Sequence, residues 1–151
     1  MDLARLFHVL GSIVWMGGMF FAYVALRPAA ATLLQPAERL RLWCATFQRF
    51  FVWVWVSVAA ILASGLWMIA LMGSMASAPV HVHLMLASGI VMMAVFVYIF
   101  VAPYRLLQRA VEAQDWPAGG AALGRIRRLV GFNLALGLVT VAIGIAGRLF
   151  A

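Results

Sequence analysis

Three stretches of this chain contain no Asp, Glu, Arg or Lys: 21 residues between Arg5 and Arg27, 55 between Arg49 and Arg105, and 19 between Arg128 and Arg148. Uncharged runs of that length leave few folds open. A helix needs about 20 apolar residues to cross about 30 Å of hydrocarbon. The first and last runs therefore fit one crossing each, and the 55-residue run fits two. The small, turn-prone stretch Gly73-Ser74-Met75-Ala76-Ser77-Ala78-Pro79 divides that long run. The pattern predicts an all-α integral membrane four-helix bundle forming a single domain over residues 1–151, with spans at about 6–26, 50–72, 82–104 and 129–147. The runs are continuous rather than alternating, which selects helices over a barrel.

Composition narrows the function classes. Hydrophobic residues make up 67% and charged residues 10% of the chain, against about 45–50% and about 25% in soluble domains. A soluble fold of this length could not cover that apolar surface with so few charges. A single cysteine, Cys44, supplies neither an internal disulfide nor a cysteine-type zinc site. All 11 basic residues are Arg, so Schiff-base and P-loop lysine chemistry are excluded. The first uncharged run, at 21 residues, exceeds the h-region of about 7–15 residues in a signal peptide, and is expected to be a retained span.

The net charge of +7 does not point to nucleic acid, because the arginines bracket uncharged runs instead of forming one free face. Nine of the 11 lie in residues 27–49 and 105–128. The positive-inside rule puts those two segments in the cytoplasm. Both termini and the loop around 73–81 are then expected on the outer side, the periplasm in a Gram-negative cell. The expected partner of the basic segments is the lipid bilayer, through anionic headgroups. Oligomeric state is not legible.

Punctuation within the basic segments predicts ordered structure. Pro36 can open a helix, and Leu40, Trp43, Phe47 and Phe50 follow at helical spacing. The third helix is expected to pass a bend at Pro103 and end near Ala113. Asp115-Trp116-Pro117 reads as a turn in which Asp115 caps the last helix. Trp43 and Trp116 suit the interfacial aromatic belt.

Ionisable and metal-ligating groups inside a membrane are costly, which makes them the first functional candidates. The four acids, Asp2, Glu38, Glu112 and Asp115, all lie outside the spans, so no intramembrane carboxylate pair offers hydrolysis or a proton relay. The three histidines differ. His8 lies near the start of the first span, and His81 and His83 at the start of the third. These two helices run the same way, so the three imidazoles are expected at about the same depth near the outer face. Imidazole ligates copper and haem iron. The competing reading is an interfacial histidine hydrogen-bonded to water.

From His8, one helical face runs through Gly11, Ser12, Trp15 and Met19; from His81, one runs through Met85, Ser88 and Met92. Met72 and Met75 lead into the outer loop. Thioethers favour Cu(I), so Met19, Met72, Met75 and Met85 join His8, His81 and His83 as candidate ligands. Methionine is also an ordinary packing residue. Small residues such as Gly65, Gly137, Gly144 and Gly147 permit close helix contact, and Ser64, Asn133 and Thr140 can bridge helices.

The stretch Leu6-Phe7-His8-Val9-Leu10 with Val14-Trp15-Met16-Gly17-Gly18-Met19-Phe20 resembles the first helix of the CopD family, and Ala63-Ser64-Gly65-Leu66-Trp67 resembles a later part of it. The resemblance implies a multi-pass protein of the bacterial inner membrane with a role in copper handling. The chain is also similar to the HemJ-type protoporphyrinogen oxidases, four-helix proteins that bind haem b. Arg5-Leu6-Phe7-His8 and His81-Val82-His83-Leu84 stand where that family has Lys-x-x-His and His-x-Lys-Leu. That similarity implies axial haem ligation by histidines of the first and third spans.

Three functions stay open at this point: a copper-binding or copper-transporting protein, a haem b redox protein, and a structural subunit without cofactor. Copper leads because the CopD resemblance is closer. A periplasmic donor of copper or haem is the expected partner. One of His81 and His83 is expected to pair with His8 and the other to be silent; the silent one is His81 if the site lies deep, since His83 sits two residues further into the span.

Overall fold

The computed structural model describes residues 1–149. The terminal Phe150 and Ala151, whose side of the membrane is part of the expected topology, lie outside the described residues. Helix α1 spans Asp2–Phe21, α2 Arg27–Leu33, α3 Pro36–Leu71, α4 Val80–Val101, α5 Pro103–Glu112 and α6 Trp116–Leu149. A π-helical turn, Ala22–Leu26, joins α1 to α2, and a short 3₁₀ turn, Met75–Ser77, precedes α4. No strand occurs among the described residues. Four helical rods are long and apolar enough to cross a membrane: Asp2–Leu33, Pro36–Leu71, Val80–Glu112 and Trp116–Gly147.

Local sequence explains where the rods begin and break. Pro36 takes the first position of α3, where its missing N–H costs nothing. A reciprocal capping box forms ahead of it, the Gln35 N–H donating to Glu38 Oε2 at 3.1 Å. At Ala102 the backbone leaves helical geometry (φ −115°, ψ −84°), because Pro103 cannot continue the hydrogen-bond ladder. Asp115 Oδ1 accepts from the Ala118 N–H at 3.0 Å and so caps α6. Gly73 turns the chain with φ +95°, a conformation that side chains disfavour.

The π turn has a covalent cause. Pro28 has no N–H for the carbonyl four residues back, and its ring crowds the preceding turn. The Arg27 N–H donates instead to the Ala22 carbonyl, five residues back.

The rods pack as two antiparallel pairs. In α1/α3, His8 meets Ser64 and Gly65 while Gly18 lies under the Phe50 ring. In α4/α6, His81 lies against Gly147, Met85 against Gly144, and the Met92 carbonyl accepts from Asn133. The pairs join through aromatic rings. Trp15 of α1 meets Phe96 of α4 with centroids 6.2 Å apart, and Phe51 of α3 meets Phe96 at 5.5 Å and Tyr104 of α5 at 4.9 Å. Helix α5 folds back on α6 and α3, burying Tyr104, Leu107 and Ala110. Trp43 is buried beside Phe47, because α3 carries it inward on the same face as Leu40 and Phe47.

Outward-facing apolar side chains on every rod complete an inside-out pattern. Ile13, Trp53, Val97 and Ile145 are among the exposed large hydrophobics. So large an exposed apolar surface is stable only in lipid. The bundle therefore has one end carrying the turns at 34–35 and 113–115 with their arginines, and an opposite end carrying the three histidines.

Candidate metal site at the histidine end

His8 is half-buried between α1 and α3. Its Nδ1 lies 3.1 Å from Ser64 Oγ. Gly65 makes room for the ring: a Cβ there would lie 3.6 Å from His8 Cε1. The Ser64 hydroxyl has one proton, and its oxygen lies 2.5 Å from the Ala60 carbonyl and 3.2 Å from that of Ile61. A carbonyl can only accept, so Ser64 donates to it and must accept from His8. The hydrogen-bond network thus assigns the proton to Nδ1 and leaves the lone pair on Nε2. A second-sphere partner of this kind fixes the tautomer of a metal-binding histidine. Ser12 adds a local bond, its Oγ donating to the His8 carbonyl at 2.8 Å.

The other two histidines face different surroundings. His81 is half-buried against α6 where Gly147 has no side chain. His83 is exposed, with Nδ1 3.2 Å from the Pro79 carbonyl, to which it donates. The extra depth of His83, which favours it as the partner of a deep site, does not turn its ring into the bundle. Two residues turn a helix by about 200°, so the deeper residue looks the other way.

Register also separates the depths. Met16 of α1 and Met92 of α4 both converge on Gly137. Counting back at 1.5 Å per residue, His8 lies level with Leu84 and Met85, and His81 about one turn further out. Among the described residues, no group of three or more His, Cys, Asp or Glu is placed to hold a metal ion.

A row of soft donors was only partly legible in the sequence. His81, Met85, Ser88 and Met92 share one face of α4, and α6 answers with Gly147, Gly144, Thr140 and Gly137. A Cβ added at Gly144 would lie 2.9 Å from Met85 Sδ. One added at Gly137 would overlap Met16 Sδ and lie 2.9 Å from Met92 Cε. Thr140 Oγ1 donates to Ser88 Oγ at 2.8 Å, between the two thioether levels. Met16, on α1, had no sequence signal as a member of this row; only the pairing of helices brings it there. Met92 did, through its spacing from His81. Asn133 closes the row with its Nδ2 donating to the Met92 carbonyl at 3.0 Å, while its buried Oδ1 has no protein partner.

The remaining candidates lie apart. Met19 is buried in the core 11 residues beyond His8, about 16 Å along the helix, too far for one ion to touch both. Met72 and Met75 are half-buried in the outer turn, where Ser77 Oγ donates to the Met72 carbonyl at 3.1 Å.

A profile of the CopD family, described as copper resistance protein D, matches residues 44–147. That is about two thirds of the chain, and the chain belongs to this family. The match covers His81, His83 and the thioethers of α4, and stops short of His8. No curated protein and no solved structure matches the chain.

Proposed function

We propose that this CopD-family protein binds copper at its histidine end and carries Cu(I) into the bundle along the α4/α6 row. Copper is the cargo, and the side chains of the row are its temporary ligands. The supporting observation is the alignment of His81, Met85 and Met92 on one face of α4 against three glycines, joined by Met16. Imidazole and thioether together suit Cu(I), whereas oxygen-preferring ions find no carboxylate there. His8, with its Nε2 lone pair fixed by Ser64, supplies a further donor level with Met85 and about one turn deeper than His81. In this reading the inward-facing partner is His81, and His83 is the silent one, which reverses the expectation from depth.

Nine arginines at the opposite end favour a cytoplasmic location for it. The histidines then face the outside of a bacterial inner membrane, where a periplasmic donor would deliver copper. A reporter fused at the 73–79 turn should be active only on the outer side.

The test is a Cu(I) titration of the detergent-solubilised protein against a competing chelator. His81→Ala and the paired change Met85→Leu with Met92→Leu should each weaken binding by about tenfold or more, while His83→Ala leaves it unchanged. Retention should weaken on acidification, because ligation needs the unprotonated ring. Binding that survives His8→Ala and His81→Ala together would overturn the site. A haem Soret band in the purified protein, lost in His8→Ala, would replace copper with haem b.

A further inference from the structure

At the arginine end a cavity of about 290 Å³ opens between the π turn, the start of α3 and the start of α6. It has a charged rim and an apolar floor. Arg27, Arg39 and Arg127 line the rim, and Leu40, Phe47 and Ile126 lie in the floor with 3%, 5% and 1% of their surfaces exposed. Trp43 and Trp116 form part of the wall.

None of the three rim arginines is neutralised. Among the described residues the ion pair is Arg5 with Asp2, at the far end of the molecule. Arg27 is held over the Tyr23 ring at 5.3 Å, and Tyr23 in turn lies against Gly131. The π turn sets Tyr23 and Arg27 on the cavity side, and such turns recur at functional sites. Three guanidinium groups around one small cavity repel each other, and an anion between them relieves that repulsion. Their forked donors match phosphate oxygens in pairs.

The cavity also lies where the sequence changes from uncharged to charged. Ala22, Tyr23 and Val130 belong to the uncharged runs 6–26 and 129–147, whereas Arg27, Arg39 and Arg127 belong to the basic segments. It therefore straddles the boundary between hydrocarbon and headgroups, with indole rings at the level where they favour the interface. A soluble anion would use the rim and leave the floor empty. An apolar ligand would use the floor and leave the rim charged.

We propose that this cavity is a binding site for one phospholipid with a net anionic headgroup, its phosphate among Arg27, Arg39 and Arg127 and the start of its acyl chains over Leu40, Phe47 and Ile126. The volume holds on the order of ten waters, enough for a headgroup and the first part of the chains. The rest of the chains lie along the bundle's apolar exterior. This site is separate from the copper reading and does not depend on it.

Native mass spectrometry of delipidated protein, given equal amounts of phosphatidylglycerol and phosphatidylcholine, tests the site. One phosphatidylglycerol per chain should be retained in preference. Arg39→Gln and Arg127→Gln should each lower that preference about fivefold, the worth of one basic residue at an anionic surface. Gly124→Leu keeps every charge but should exclude the lipid, because nothing lies within 4 Å of a Cβ at that cavity-lining position. Arg128→Gln, off the cavity, should change nothing.

Equal loss in Arg128→Gln would show a diffuse surface charge and overturn the site. Unchanged binding in Gly124→Leu would do so too. Full displacement by soluble glycerol phosphate would make the ligand a free anion, against the proposal.

Discussion

At the arginine end, Phe47, Phe51, Phe96, Phe100 and Tyr104 interlock, with neighbouring centroids 4.9 to 6.4 Å apart. At the histidine end the helices meet through Gly65, Gly144 and Gly147, with a hydroxyl and thioethers filling the seam. Lipid tails are as apolar as leucine, so close packing rather than exclusion from water holds spans together. The aromatic end has that packing in abundance, and α5 adds a third layer to it. The histidine end has close backbones and tightly seated thioethers instead, the row along which the proposed passage of Cu(I) would run. On the proposed reading, tight aromatic packing and ion binding belong to opposite ends of the same four rods.

The sharpest way to break that contrast is to truncate one side chain at each end. Phe51→Ala removes a ring that touches Phe47, Phe96 and Tyr104, and should cost about 3 kcal/mol or more. His8→Ala should cost less than about 1 kcal/mol, the usual scale of an interhelical hydrogen bond in a membrane. Unfolding of the detergent-solubilised protein by graded denaturing detergent measures both. Equal losses would mean that the ends are not divided in this way.

A pair of glycine substitutions sharpens the comparison along the donor row. Gly137→Ala places a methyl where Met16 and Met92 already lie, and should cost about 1–3 kcal/mol by overpacking. Gly17→Ala meets nothing within 4 Å and should be neutral or stabilising by up to about 1 kcal/mol, since Ala is the better helix former. The same unfolding measurement decides. If Gly137→Ala is silent, the thioethers move freely and the row is less tightly set than its geometry indicates.

Asn133 is a finer probe of the junction between the two ends. Leu at this position gives up the bond to the Met92 carbonyl but also removes the buried, unpartnered Oδ1. The two effects oppose each other, so Asn133→Leu should stay within about 1 kcal/mol of the parent. A loss of more than about 2 kcal/mol in the same assay would reveal a partner for Oδ1, such as an ordered water.

The sequence announces the rods because charge placement and covalent constraints act locally. The uncharged runs set the spans, Pro36 and Pro103 set a start and a bend, and Asp115 sets a cap. The buried face of α1 is legible too, since Gly11, Trp15 and Met19 recur at helical spacing and are all buried. What escaped depends on which rods pair. The inward turn of Trp43, the convergence of Met16 on Gly137 and the outward turn of His83 follow from rotation of each helix about its axis, which packing decides. The π turn also escaped, although Pro28 is its visible cause, because a proline near a span's end kinks, stops or widens a helix depending on its neighbours.

The smallest expected effect on stability lies in the bond between His8 and Ser64. A double-mutant cycle of His8→Ala and Ser64→Ala should give a coupling of about 0.6 kcal/mol, the average for such pairs between membrane helices. Ser64 acts on the ring mainly by fixing its proton on Nδ1. In Ser64→Ala that preference disappears, and the ¹⁵N chemical shifts of the His8 ring should change from one dominant tautomer to a mixture. Copper retention should respond more than stability does, because partners that orient a ligand are worth roughly 10–100-fold in metal affinity. A Ser64→Ala protein with unaltered ring shifts would show that the tautomer is set elsewhere. One with altered shifts but undiminished copper binding would remove His8 from the donor set and leave His81 and the thioethers of α4 as the whole of it.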